Sequence, residues 1–268
     1  MATGSLQVNR DIILATRKQY LAERKHVTPM DAIMALAAMQ NRPPNVLNTA
    51  TDGEQVVVIG QIRLAETYDP VLAALRYVRA GTDAVSFYTD HTIYTRDLDD
   101  LLMVSRGVKK VPVIFQNYIF DEYGVISARA SGAAALVGYS AVLTQPVLRR
   151  VISMTQRYKM TAILQVNSMA HLETIYELSP HVVSIGDPES ENVDSALKML
   201  KAFQPHIPNY CQIMLSNTLH TIEEVQMAIE AGVQAVIVSD EVYSTPAKIE
   251  KMKSLVMRGN PDDEENTE

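Results

Sequence analysis

The chain has 268 residues, 47% of them hydrophobic and 21% charged, with a net charge of −7 and one cysteine. This is the composition of a globular chain able to bury a sizeable core, and its length suits one α/β barrel or two smaller domains. The lone cysteine excludes an intramolecular disulfide framework and fits a reducing, cytoplasmic compartment. No face gathers the Lys and Arg that a nucleic-acid site needs, and no apolar run approaches the ~20 residues of a membrane span.

The opening residues MATGSLQVNRDIILATRKQ lack the apolar core of an export signal. Helical spacing follows over 11–25 and 28–40, and 41–54 reads as a linker, so 1–54 is expected to form an N-terminal helical extension. Such an extension can cover the bottom of a barrel or fold over its top. Eight short apolar runs come next, at 56–60, 84–88, 111–115, 134–138, 162–166, 182–186, 211–215 and 235–239. Each gap leaves room for one crossover helix. The segment 70–81 opens with Pro70 and ends at Gly81, and 220–232 carries Thr221 three residues before Glu224, a capping box. Near-continuous apolar strands alternating with helices predict a (β/α)8 TIM barrel over 55–258. A doubly wound sheet competes, but no G-x-G-x-x-G follows the first strand. The acidic tail 259–268 has no apolar residue and is expected to be disordered.

Reacting groups in such barrels lie at the C-terminal ends of the strands. Those ends carry Gln61 and Arg63, Tyr88 and Asp90, Gln116 and Asn117, Tyr139, Gln165 and Asn167, Gly186 and Asp187, Ser216 and Asn217, and Ser239, Asp240 and Glu241. Amides dominate the first, third, fifth and seventh. An amide donates and accepts hydrogen bonds but cannot take up or release a proton near neutral pH, and general acid–base catalysis needs a group that can.

Four stretches, ILATRKQYLAERK (13–25), DPVLAALRYVRAGTDAVSFYTD (69–90), VPVIFQNYIFDEYGVISARASGAAAL (111–136) and LHTIEEVQMAIEAGVQAVIVSDEV (219–242), resemble the indole-3-glycerol phosphate synthase family. That family closes the indole ring in tryptophan biosynthesis, and the resemblance implies a TIM barrel. It also implies that this chain departs from the family at its working positions. The family's E-x-K is here Gln61-Ile62-Arg63, and ETYDP follows where a Ser-Pro-Ser loop is expected. Its K-D-F, whose Lys is the family's general acid, is Gln116-Asn117-Tyr118. Its E-V-H is Gln165-Val166-Asn167, and its I-N-x-R is Ile185-Gly186-Asp187-Pro188. Its S-E-S-G is Leu215-Ser216-Asn217-Thr218, and its G-E-S, part of the phosphate site, is Ser239-Asp240-Glu241.

No catalytic residue is therefore expected at Gln61, Arg63, Gln116, Gln165, Gly186 or Asn217. Arg63 keeps its proton and can only bind an anion. Thr218 and Ser239 stand where glycines would open backbone N–H groups, and Asp240 with Glu241 adds negative charge, so a phosphate ligand is disfavoured. The expectation is a pseudoenzyme that binds a protein partner or a small molecule in a neutral to acidic pocket lined by Arg63, Gln116, Asn117, Gln165, Asn217 and Asp240. Two alternatives stand: an active synthase, a carboxy-lyase, or a barrel enzyme with new acid and base groups drawn from Asp90, His91, Asp187, Asp240 and Glu241. No cofactor or metal is expected, because His91 has no second histidine near it and metals need three or four converging ligands. The thirteen methionines suit an adaptable contact surface and leave a homo-oligomer open.

Overall fold

The computed structural model describes residues 10–46, 56–63, 69–88, 96–109, 111–188, 190 and 192–257. Asp90, His91, most of the stretch ETYDP and the tail 259–268 lie outside the described residues.

The β-branched run at 56–59 and its seven counterparts pair in chain order into a closed parallel barrel. The strands are β1 (Val57–Arg63), β2 (Ala84–Tyr88), β3 (Val113–Gln116), β4 (Ala135–Tyr139), β5 (Thr161–Val166), β6 (Val182–Ile185), β7 (Gln212–Leu219) and β8 (Ala235–Val238). Between them run α3 (Pro70–Ala80), α4 (Asp97–Gly107), α5 (Glu122–Ala130), α6 (Gln145–Arg157), α7 (Glu173–Leu178), α8 (Val193–Phe203) and α9 (Ile222–Glu230), and α10 (Pro246–Met257) follows β8. The fold is a (β/α)8 TIM barrel. Its helix ends follow local chemistry: Asp69 accepts from the Val71 and Leu72 amides, both at 3.0 Å, and the Thr221–Glu224 capping box forms in both directions.

Strand alternation splits the apolar residues into two cores. Val57, Ile59, Ile114, Val137, Ile163 and Ile237 fill the lower barrel interior, while the intervening residues pack outward against the helices. Above the apolar layers the inward positions turn polar. β1 and β7 outrun their apolar stretches for that reason: β1 continues to Arg63, and β7 continues through Ser216, Asn217 and Thr218, with a register shift against β8 between Met214 and Thr218.

The N-terminal extension spans both ends of the barrel. In α1 (Arg10–Val27), Arg17 Nη1 lies 2.6 Å from the carboxylate of the fully buried Asp97, at the start of α4. Lys25 meets Asp121, the N-cap of α5. These contacts hold α1 to the upper rim. In α2 (Met30–Ala38), Ile33 and Ala37 are buried, and just beyond it Gln40 donates to the Ala130 carbonyl at the lower end of α5. Arg129 then binds the Gln40 and Asn41 carbonyls at 3.1 and 2.5 Å, and Val46 joins the inner core. Residues 40–46 thereby cross the barrel floor. Among the described residues, no helix is long and apolar enough to cross a membrane.

Candidate functional site

The inward positions at the upper strand ends are Gln61 and Arg63 on β1, Ser86 and Tyr88 on β2, Gln116 on β3, Tyr139 on β4, Gln165 on β5, Ser184 on β6, and Ser216 and Thr218 on β7. None is a carboxylate, a histidine or a lysine. Gln61, Gln116 and Gln165 are each 5% exposed or less, so their amides need partners inside the protein.

They find them. Gln116 Oε1 accepts from Ser86 Oγ at 2.6 Å and from Gln61 Nε2 at 3.4 Å. Gln61 Oε1 accepts from Arg63 Nε at 2.8 Å and from Thr218 Oγ1. Gln165 Nε2 donates to the Gly186 carbonyl at 2.6 Å, and Ser184 and Ser216 share a hydrogen bond of 2.5 Å. Arg63 reaches furthest: its Nη2 donates to the Pro188 carbonyl at 2.9 Å, and its guanidinium lies 5.3 Å from the Tyr88 ring centroid. Tyr118 packs edge-on against Tyr139, with ring centroids 5.0 Å apart. The set binds dipoles to dipoles around one fixed cation. Nothing in it changes protonation near neutral pH.

The structure brings Gln61, Arg63 and Gln116 into one network and seats Gln165 against Gly186. It does not bring Asn117, Asn217 or Asp240 to them. Asn117 follows inward Gln116 by one residue, so alternation turns it outward, where it donates to Asp97 Oδ2 at 2.9 Å. Asn217 turns away from the axis in the same manner and lies over Gly186, accepting from the Asp187 amide at 3.3 Å and donating to the Ser190 carbonyl at 2.6 Å. It acts as a brace for the segment leading into α8. Asp240 opens a short 3-10 helix, Asp240–Tyr243, and is exposed. Together with Glu241 it lines a groove of about 480 Å³ on the outer wall, opposite Arg76 and Arg79 of α3. Glu241 approaches His220 at 3.5 Å, and Asp187 is exposed. Among the described residues no three His, Cys, Asp or Glu side chains could hold a metal ion.

Ser86, Ser184 and the Pro188 carbonyl escaped the sequence reading. Ser86 is a lone hydroxyl in AVSFY, two residues before Tyr88, and that parity alone places it on the inward face. The Pro188 carbonyl is a backbone group with no side-chain signature.

The sequence pattern described as indole-3-glycerol phosphate synthase matches residues 11–255, nearly the whole chain. The chain belongs to the indole-3-glycerol phosphate synthase family. Proteins named indole-3-glycerol phosphate synthase from Dehalococcoides mccartyi (strain BAV1) and Roseiflexus sp. (strain RS-1) are each 24% identical to it. The first aligns over 88% of this chain and 95% of its own length, the second over 90% and 96%. Among solved structures, 3-hexulose-6-phosphate synthase from Salmonella typhimurium superposes with a TM-score of 0.60 at 12% identity, over 75% of this chain and 99% of that one. A 4-hydroxy-2-oxoglutarate aldolase superposes with a TM-score of 0.57 at 14% identity, over 80% and 99%. At such identities the structural neighbours show the barrel alone.

Proposed function

We propose that this chain is a non-catalytic member of the indole-3-glycerol phosphate synthase family, which works by binding a small molecule or a protein partner. The observation that carries this reading is the set of hydrogen-bonded amides at the strand ends, where no inward side chain is a carboxylate, histidine or lysine. Ring closure of the family's substrate needs an acid to draw water from a carbonyl carbon and a base to restore aromaticity. At the matching positions Gln61, Gln116 and Gln165 are neutral at every physiological pH. They hydrogen-bond Ser86, Thr218, Arg63 and the Gly186 carbonyl. Arg63 supplies positive charge without proton transfer. A ligand entering this mouth would meet hydrogen-bond donors and acceptors, tyrosine faces and one guanidinium, which suits binding better than turnover.

The names of the relatives favour a second reading, an active synthase with its acid and base supplied from other positions. A single-turnover assay separates the two. Excess protein is mixed with carboxyphenylamino-deoxyribulose phosphate, and indole fluorescence is followed against a protein-free control. No product is expected. Product that disappears in Arg63→Ala would overturn the non-catalytic reading.

A further inference from the structure

The end of the barrel opposite the mouth holds a cavity of about 920 Å³, floored by the starts of β5 to β7 and walled by the crossing segment 40–46. Arg42, Lys159 and His181 line it, and no carboxylate does among the described residues. None of these three side chains has an ion-pair or hydrogen-bond partner among the described residues.

The backbone adds a second, independent observation. The turns after α3, α5 and α9 place Gly81, Gly132 and Gly232 at φ of +94°, +90° and +86°. The turns after α6 and α7 reach the same left-handed region without glycine, with Lys159 at φ +62° and Ser179 at φ +45°. Glycine adopts that conformation at no steric cost and lysine does not. Of these two non-glycine turns, the one at Lys159 places a charged side chain on the cavity. The chain on either side of Arg42 is held: Arg129 binds the Gln40 and Asn41 carbonyls just before it, and Thr161 Oγ1 donates to Asn45 Oδ1 at 3.1 Å just after.

From these features we propose that the lower cavity is a binding site for a phosphorylated small molecule. Arg42, Lys159 and His181 line one volume, and a phosphate monoester offers a dianion with three terminal oxygens to meet them. A monoanionic carboxylate would leave one of the two cations unneutralised. The cavity exceeds what a bare phosphate fills, and the exposed ring of Tyr210 on its wall gives a planar group a surface to lie on. The site is separate from the mouth, at the other end of every strand.

The test titrates the full chain with phenyl phosphate, inorganic phosphate and benzoate by isothermal calorimetry, in low-salt buffer free of phosphate. Saturable binding is expected, tightest for phenyl phosphate. Lys159→Gly relieves the left-handed strain, so its melting temperature should be unchanged or higher while affinity falls roughly tenfold. Arg42→Gln should weaken binding to a similar degree, and Arg63→Ala, at the mouth, should not. Absence of saturable binding, affinity untouched by Lys159→Gly and Arg42→Gln, or affinity lost in Arg63→Ala would each overturn the proposal. Equal affinity for phenyl phosphate and benzoate would overturn the assignment to a dianion.

Discussion

Arg63 and Pro188 tie the first strand to the segment after the sixth: the guanidinium Nη2 donates to the proline carbonyl at 2.9 Å. The same guanidinium bonds Gln61 Oε1 through Nε at 2.8 Å, so one side chain bridges the barrel mouth. Arg63→Ala should cost about 1–2 kcal/mol, the loss of two charge-assisted hydrogen bonds at a partly exposed site. Backbone amide exchange at Asp187 and Ser190 should quicken. Arg63→Lys should not restore protection, because one ammonium cannot reproduce the fork that reaches both acceptors.

Gly186 is the second position where the mouth constrains its own repair. Its φ is +107°, and a Cβ there would sit 2.2 Å from Asn217 Oδ1. Gly186→Ala should destabilise by about 2–4 kcal/mol through clash and left-handed strain together. Gly186→Ala with Asn217→Ala should recover part of the steric cost, leaving Ala196 Cβ at 3.2 Å and the left-handed strain, as read by urea denaturation. The asparagine that the family resemblance implies here therefore does not fit this backbone without a rearrangement.

The Arg17–Asp97 pair anchors the N-terminal extension. Burial raises the Asp97 carboxyl above its ordinary value, with Arg17 partly offsetting the shift, and Asp97 Oδ1 has no hydrogen-bond partner. Arg17→Met leaves that carboxylate buried without its cation and should cost about 3–5 kcal/mol at pH 7. A group whose pKa is raised on folding favours the folded state at low pH, and that contribution is lost as pH rises through the folded value. The deficit of Arg17→Met should accordingly shrink as pH falls and Asp97 takes up a proton. Adding Asp97→Asn should recover part of the loss at neutral pH. Equal deficits at pH 5 and pH 7 would contradict this account.

Cys211 sits just below β7, its thiol 3.3 Å from the Pro180 carbonyl. Burial pushes the thiol up from its ordinary value to about 11. Its thiolate should be scarce in the folded chain at pH 8, and alkylation by iodoacetamide should run about a hundredfold slower than in denaturant. The raised value also gives a linkage: the stability held by the neutral thiol is full below about pH 9 and lost as pH rises through about 11. Cys211→Ala should flatten the stability profile across that alkaline window.

The barrel was legible in the sequence because its signals are local. Buried parallel strands must be apolar on both faces, so each announced itself as a short apolar run, and the crossover helices carried their own stops and caps, Pro70 and Gly81 or Thr221 and Glu224. Residue type alone also marked the mouth as amide-rich. The pairing of those amides was not legible, because it joins residues far apart in the chain. Gln61 meets Thr218 only once the barrel closes and the shift in β7 sets its register. Asn117 and Asn217 look like mouth residues by position, yet the period-two pleat turns them outward to Asp97 and to the Asp187–Ser190 backbone. The N-terminal extension shows the same division. Its helices follow from their own spacing, but its course from the upper rim to the floor depends on Asp97, Asp121 and the Ala130 carbonyl, partners that come together only in the folded barrel.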